Sequence, residues 1–197
     1  MVVPPLLDIT GAGRGNLKIE SRQVDLADAD AQDPAPTLAS HGFGAVLFSA
    51  SLPEGEVDSA YRQYFANLCA AAVKSETGAT LVVGLPIAVQ IRRSNGANQE
   101  APISVCHTDF TPASAVRRVA EILARLGQKA RPARFAAFNT GWLAHSGPQD
   151  RPLALCDANS IAAPDLQIGR AQVLAPDKSS MDYGEIAFQR FSARNRW

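Results

Sequence analysis

Ile103-Ser104-Val105-Cys106-His107-Thr108-Asp109-Phe110, followed at once by Thr111-Pro112, is the stretch on which the fold turns. Up to Phe110 the residues read as a strand. Threonine and then proline signal a helix start, with Thr111 at the N-cap and Pro112 at N1. Val116, Val119, Leu123 and Leu126 then recur along one face until Gly127 closes the helix. In a strand, residues i and i+2 share a face, so His107 and Asp109 project inward together while Cys106 and Thr108 face the other way. An imidazole nitrogen beside a carboxylate oxygen, completed by a second histidine, would occupy one face of an iron(II) octahedron and leave the remaining positions open. On spacing alone, the plainer reading is a structural polar pair.

Upstream, Leu17 to Leu26 alternates roughly as a strand, and residues 27 to 38, rich in Asp, Ala and Pro, form a solvated linker. Gly11, Gly13 and Gly15 do not make a dinucleotide loop, because Asn16 stands where a third glycine would be needed and a strand follows it. Gly42 to Leu52 suggests a buried strand. Pro53 to Thr77 turns helical, with Val57, Tyr61, Tyr64, Phe65, Leu68, Ala72 and Val73 at helical steps and Gly78 as the stop. Leu81 to Ile91 is an apolar, strand-like run, and Arg92 to Pro102 a polar loop. Beyond the second helix, Arg134 to Leu143, Pro152 to Leu155, Gln172 to Leu174 and Glu185 to Phe191 read as short strands joined by turns. Many strands with two inserted helices favour a mainly β, jelly-roll-like scaffold with flanking helices, an α+β protein, over a doubly wound parallel sheet.

Composition narrows the function classes. With 197 residues, 46% of them hydrophobic and 19% charged, the chain can bury one substantial core, and a single domain is expected over 1–197. Within it, 1–38 reads as an N-terminal extension and linker and 39–197 as the core. Formal net charge is zero at pH 7, so no global field draws nucleic acid or an anionic membrane. No apolar stretch approaches the ~18 residues a membrane span requires, and the protein reads as cytoplasmic, acting on a small molecule. Its 3 cysteines, Cys69, Cys106 and Cys156, lie at wide spacings and read as reduced thiols. Cys106 cannot serve as a nucleophile with His107 as its base, since strand neighbours face opposite ways. Of the other histidines, His41 reads as a surface turn residue and His145 as a loop residue; Asp157 reads as a turn or cap.

Three runs carry a resemblance: Cys106-His107-Thr108-Asp109-Phe110-Thr111-Pro112-Ala113, then Phe138-Asn139-Thr140, then Pro152-Leu153-Ala154-Leu155-Cys156-Asp157-Ala158. They resemble the AsaB/CmcJ/NvfI hydroxylase/desaturase family, from about Leu38 onward. The resemblance implies a double-stranded β-helix (cupin-like jelly roll) and an iron(II)- and 2-oxoglutarate-dependent dioxygenase of secondary metabolism. It also implies that His107 and Asp109 match the family's metal pair. Two departures stand out. Gly141-Trp142-Leu143 replaces the family's usual Trp-Arg, and the family pattern continues past Arg196-Trp197 into strands that should carry the distal histidine and a 2-oxoglutarate-binding arginine. The jelly roll is therefore expected to be incomplete at its C-terminus, with unpaired sheet edges that could recruit a second copy. The alternative is a non-catalytic jelly roll that binds a small molecule or a partner chain.

Overall fold

The computed structural model describes residues 6–8, 16–47, 57–90, 103–128, 132–142, 152–174 and 180–197. They fall in two compact units, one made of Met1–Phe43, Arg92–Ala137 and Asp150–Trp197, the other of Gly44–Ile91 and Phe138–Gln149.

The first unit is built on a four-stranded sheet. In chain order it contains β1 (Leu6–Asp8), the short helix α1 (Leu38–His41), β2 (His107–Thr108), α3 (Pro112–Arg125), β3 (Leu166–Leu174) and β4 (Ser180–Gln189). The second unit holds α2 (Ser59–Thr77). The strand order is β1-β3-β4-β2. β3 and β4 form an antiparallel pair, β2 lies antiparallel on β4, and β1 is parallel to β3. Residues inside the expected N-terminal extension thus supply one edge of the sheet.

Register sorts the side chains onto two faces. His107 lies opposite Phe188, which lies opposite Gln167, and Gly169 lies opposite Ile186. Directly paired residues share a face, so His107, Phe188 and Gln167 stand in a row across three strands. That face carries the core: Ala171, Ile186 and Phe188 are buried, with Leu17 and Val105 packed against them. Cys106, Gln189, Thr108 and Glu185 fall on the opposite face.

The helix signals read from sequence are borne out. Thr111 caps α3 with Pro112 at the first turn, and Ser114 completes a reciprocal capping box. Gly78 ends α2 in the left-handed conformation as read, while the helix begins at Ser59 behind an Asp58 cap that the sequence reading did not mark. The strand expectations fare less well. Leu17 to Leu26 and Pro152 to Leu155 belong to no strand, nor do Leu81 to Gln90 or the described part of Arg134 to Leu143. Gly42 to Leu47 is likewise irregular, and the rest of that expected strand lies outside the described residues, as do the Gly11 to Gly15 loop, Arg92 to Pro102 and His145. At 81–90 the cause is local: Pro86 opens a one-turn 3-10 helix, Pro86–Ala88, and has no N–H to give a ladder. Leu81 and Ile87 are exposed there. At 166–174 and 180–189 the strands run longer than expected, because a hairpin supplies each with a partner along its length.

In the second unit, the 81–85 segment lies directly on α2. A Cβ at Gly84 would collide with the carbonyl oxygen of Ala66, a buried helix residue. The neighbour is backbone and cannot rotate away. Gly84→Ala is therefore expected to destabilise this unit by about 1–3 kcal/mol, read as a lower urea midpoint; an unchanged midpoint would mean that the helix and this segment part at little cost.

Candidate metal centre

β2 and the turn after it place the two residues singled out by the sequence. Gln189 donates its backbone N–H to Cys106, and the pairing of His107 with Phe188 puts the imidazole on the core face. Asp109 follows in the turn before the α3 cap. The two side chains meet: His107 Nε2 lies 3.3 Å from Asp109 Oδ1, with the imidazole largely covered and the carboxylate more open.

The other ring nitrogen decides the chemistry. His107 Nδ1 sits 2.8 Å from the carbonyl oxygen of Val105. A carbonyl can only accept, so the proton is on Nδ1 and, in the neutral ring, Nε2 presents a lone pair. That lone pair faces a carboxylate oxygen. Two such atoms are held together by a cation, either a second ring proton or a metal ion. Donors roughly 2.1 Å from a divalent ion and at right angles stand about 3.0 Å apart. The observed 3.3 Å separation fits neighbouring positions on one ion. Tying Nδ1–H to a backbone carbonyl also orients a ligating histidine. These two residues fit a metal as a partial site. Among the described residues, no group of three or more His, Cys, Asp or Glu side chains could hold one.

The turn is held from the other side of the sheet. The Thr111 backbone N–H donates to Ser114 Oγ at 2.8 Å, and the Thr111 hydroxyl donates to Glu185 on β4 at 2.5 Å. Thr111 is buried. Helix cap and strand thus fix where the chain leaves Asp109.

Cys106 is placed away from the imidazole. Its thiol donates to Gln189 Oε1 at 3.0 Å, and Gln189 Nε2 donates to Cys156 Sγ at 3.3 Å. Desolvation and the nearby Cys156 push the Cys106 thiol up to about 11, which leaves almost no thiolate near neutrality.

A second polar cluster joins the 157–165 segment to the C-terminal residues. Asp157, read from sequence as a cap, accepts from the Asn159 N–H at 2.8 Å and from Arg196 Nε at 3.0 Å, while Asp157 N–H donates to the Arg196 carbonyl. Asp165 accepts from Arg194 Nη2 through both oxygens, at 2.8 and 2.9 Å, and from the Ala162 N–H. Both aspartates are buried. Burial pushes the Asp157 carboxyl up, but the Asn159 N–H and the Arg196 guanidinium outweigh it and hold the carboxyl below its ordinary range. The Ala162 N–H and then Arg194 do the same for Asp165. These arginine pairings span separations of 39 and 29 residues. Nothing in the local pattern signals them.

His41 belongs to this second region. It lines a cleft of about 460 Å³ with Asp157, Phe191, Arg196 and Trp197, a cleft whose lining includes neither His107 nor Asp109. Its ring stacks obliquely on Phe43 and its Nδ1 bonds Ser40 Oγ. It is not brought to His107.

A family profile described as "Oxidoreductase/YMDC permease-like domain" matches residues 6–197. The chain belongs to that family. No curated protein matches this YMDC-like oxidoreductase domain. Among solved structures, a variant of the iron and alpha-ketoglutarate-dependent endoperoxidase NvfI resembles it with a TM-score of 0.70 at 24% identity. The match covers 98% of this chain and 71% of that one. The likeness establishes a shared fold, and the NvfI-like recognition drawn from the sequence is borne out. Of the expected jelly roll, the structure displays a mostly antiparallel sheet with flanking helices. Among the described residues, no helix is long and apolar enough to cross a membrane.

Proposed function

We propose that this YMDC-like domain is an iron(II)- and 2-oxoglutarate-dependent dioxygenase on a double-stranded β-helix, hydroxylating or desaturating a small organic molecule of secondary metabolism. His107 and Asp109 are two of its iron ligands. The observation that carries this reading is the 3.3 Å approach of His107 Nε2 to Asp109 Oδ1, with Nδ1–H committed to the Val105 carbonyl. Iron(II) and 2-oxoglutarate, when bound, would supply oxygen-activating chemistry: two of the four oxidising equivalents of O2 are spent on turning 2-oxoglutarate into succinate and CO2, and the other two break a substrate C–H bond. The chain's own part is positional. The Val105 carbonyl keeps the proton on Nδ1, so that Nε2 remains a donor atom. Thr111, Ser114 and Glu185 hold the turn that carries Asp109, and Ile186 and Phe188 keep water from the sheet face beneath the imidazole.

The test is turnover of the co-substrate. Supplied with iron(II), 2-oxoglutarate and air, the chain is expected to form succinate at least about tenfold faster than the metal-free protein; equal rates would sink the proposal. A second reading, a non-catalytic jelly roll binding a small molecule or a partner chain, has one observation in its favour. Among the described residues, no third His, Cys, Asp or Glu joins the pair.

A further inference from the structure

We propose that Arg190 is the substrate-recognition arm of the same sheet face, and that the organic substrate carries a carboxylate which this guanidinium binds. The inference rests on the reading of that face as the oxygenase site. Arg190 follows β4 directly, and its backbone N–H bonds the Asp165 carbonyl, extending the ladder between β4 and β3 by one step. By alternation from Phe188 it falls on the face that carries His107. Residues related in this diagonal way across neighbouring strands lie about 7–8 Å apart, within reach of one small molecule.

Charge sets Arg190 apart from its neighbours. Arg194 is neutralised by Asp165 and Arg196 by Asp157. Arg190 instead places Nε and Nη2 on a single neutral oxygen, Gln167 Oε1, at 3.2 and 3.1 Å. Among the described residues no carboxylate pairs with it, and it is exposed. Gln167 stands in the row with Phe188 and His107, so its amide holds the guanidinium over the same face without cancelling its charge. The remaining N–H donors are free to form a charge-assisted pair with an acid, and the side chain is already ordered for it. Phe188 lies between the cation and the imidazole, and the partly buried Val105 packed on that cluster supplies an apolar surface there. A small acid with a hydrocarbon body matches that sequence of surfaces.

The experiment measures pentanoate binding by calorimetry, under anaerobic conditions, to the full chain loaded with iron(II) and 2-oxoglutarate. 1-Pentanol serves as the uncharged comparison. The expected result is that Arg190→Gln weakens pentanoate at least about tenfold, that Arg190→Lys recovers part of the loss, and that pentanol binds all three proteins alike. Affinity for 2-oxoglutarate should stay within about twofold in Arg190→Gln. Equal pentanoate binding in the wild type and Arg190→Gln, or none in the wild type, overturns the inference. So does a tenfold loss of 2-oxoglutarate itself, which would assign Arg190 to the co-substrate. If iron(II) binds neither protein, the metal reading fails by itself, and Arg190-dependent binding of pentanoate to the metal-free chain still decides this one.

Discussion

His107→Ala is expected to lower iron(II) affinity at least about hundredfold, measured by anaerobic calorimetry with 2-oxoglutarate present. Loss of residues that merely orient a metal ligand already costs 10–100-fold, and here a ligand itself is removed. Folding should survive, since His107 sits at a β edge and the bond its imidazole makes to the Val105 carbonyl contributes only about 1 kcal/mol. Asp109→Asn is the companion. It keeps the shape, removes the anion facing Nε2, and should weaken iron to a similar degree. If His107→Ala leaves iron affinity unchanged, the approach of His107 and Asp109 is a structural ion pair and the metal site lies elsewhere.

The largest expected loss of stability comes from Asp157→Ala. The substitution removes the acceptor for the Asn159 N–H and for Arg196 Nε and Nη2, at a residue that is only 4% exposed. Arg196 is well exposed and can rehydrate, so the cost is that of lost charge-assisted bonds rather than of a stranded buried cation, about 2–4 kcal/mol. The melting temperature should fall by about 6–12 °C. Acid should act the same way. The folded carboxyl lies below its ordinary value of 3.8, so its contribution is complete above that value and declines as pH falls through the lower, folded one. The wild type should therefore lose stability progressively below about pH 4, and Asp157→Asn should show a flatter acid limb in pH-dependent melting. Parallel curves would mean that Asp165 carries the acid sensitivity.

What the sequence disclosed follows the range of each interaction. Thr111-Pro112 and Gly78 mark helix ends because capping involves residues within one turn, and those ends fell where they were read, whereas the Asp58 cap that starts α2 was not marked in that reading. The nearness of His107 and Asp109 is equally local, although the strand expected from Ile103 to Phe110 is a ladder only at His107 and Thr108 and Asp109 lies in the bend beyond it. Apolar runs such as Leu81 to Ile91 misled, since hydrophobicity records burial but not the ladder partner a strand requires, and Pro86 could not supply its share of one. Nor was there any signal for the arginine pairs at Asp157 and Asp165, for the bond from Thr111 to Glu185, or for the seat of Arg190 on Gln167. Each joins residues distant along the chain and depends on the register of a hairpin that must first exist.

That hairpin also sets an order of events. β3 and β4 pair across few intervening residues, Leu174 lying opposite Ser180, whereas the bond between Cys106 and Gln189 spans 83 residues. Short loops close at a smaller entropic cost than long ones, so the hairpin forms early in folding and β2 docks on it late. The imidazole gains its place opposite the buried Phe188 only at that late step. A nascent or partly unfolded chain therefore leaves that face open to water, and the covered setting of His107 becomes a report that folding is complete.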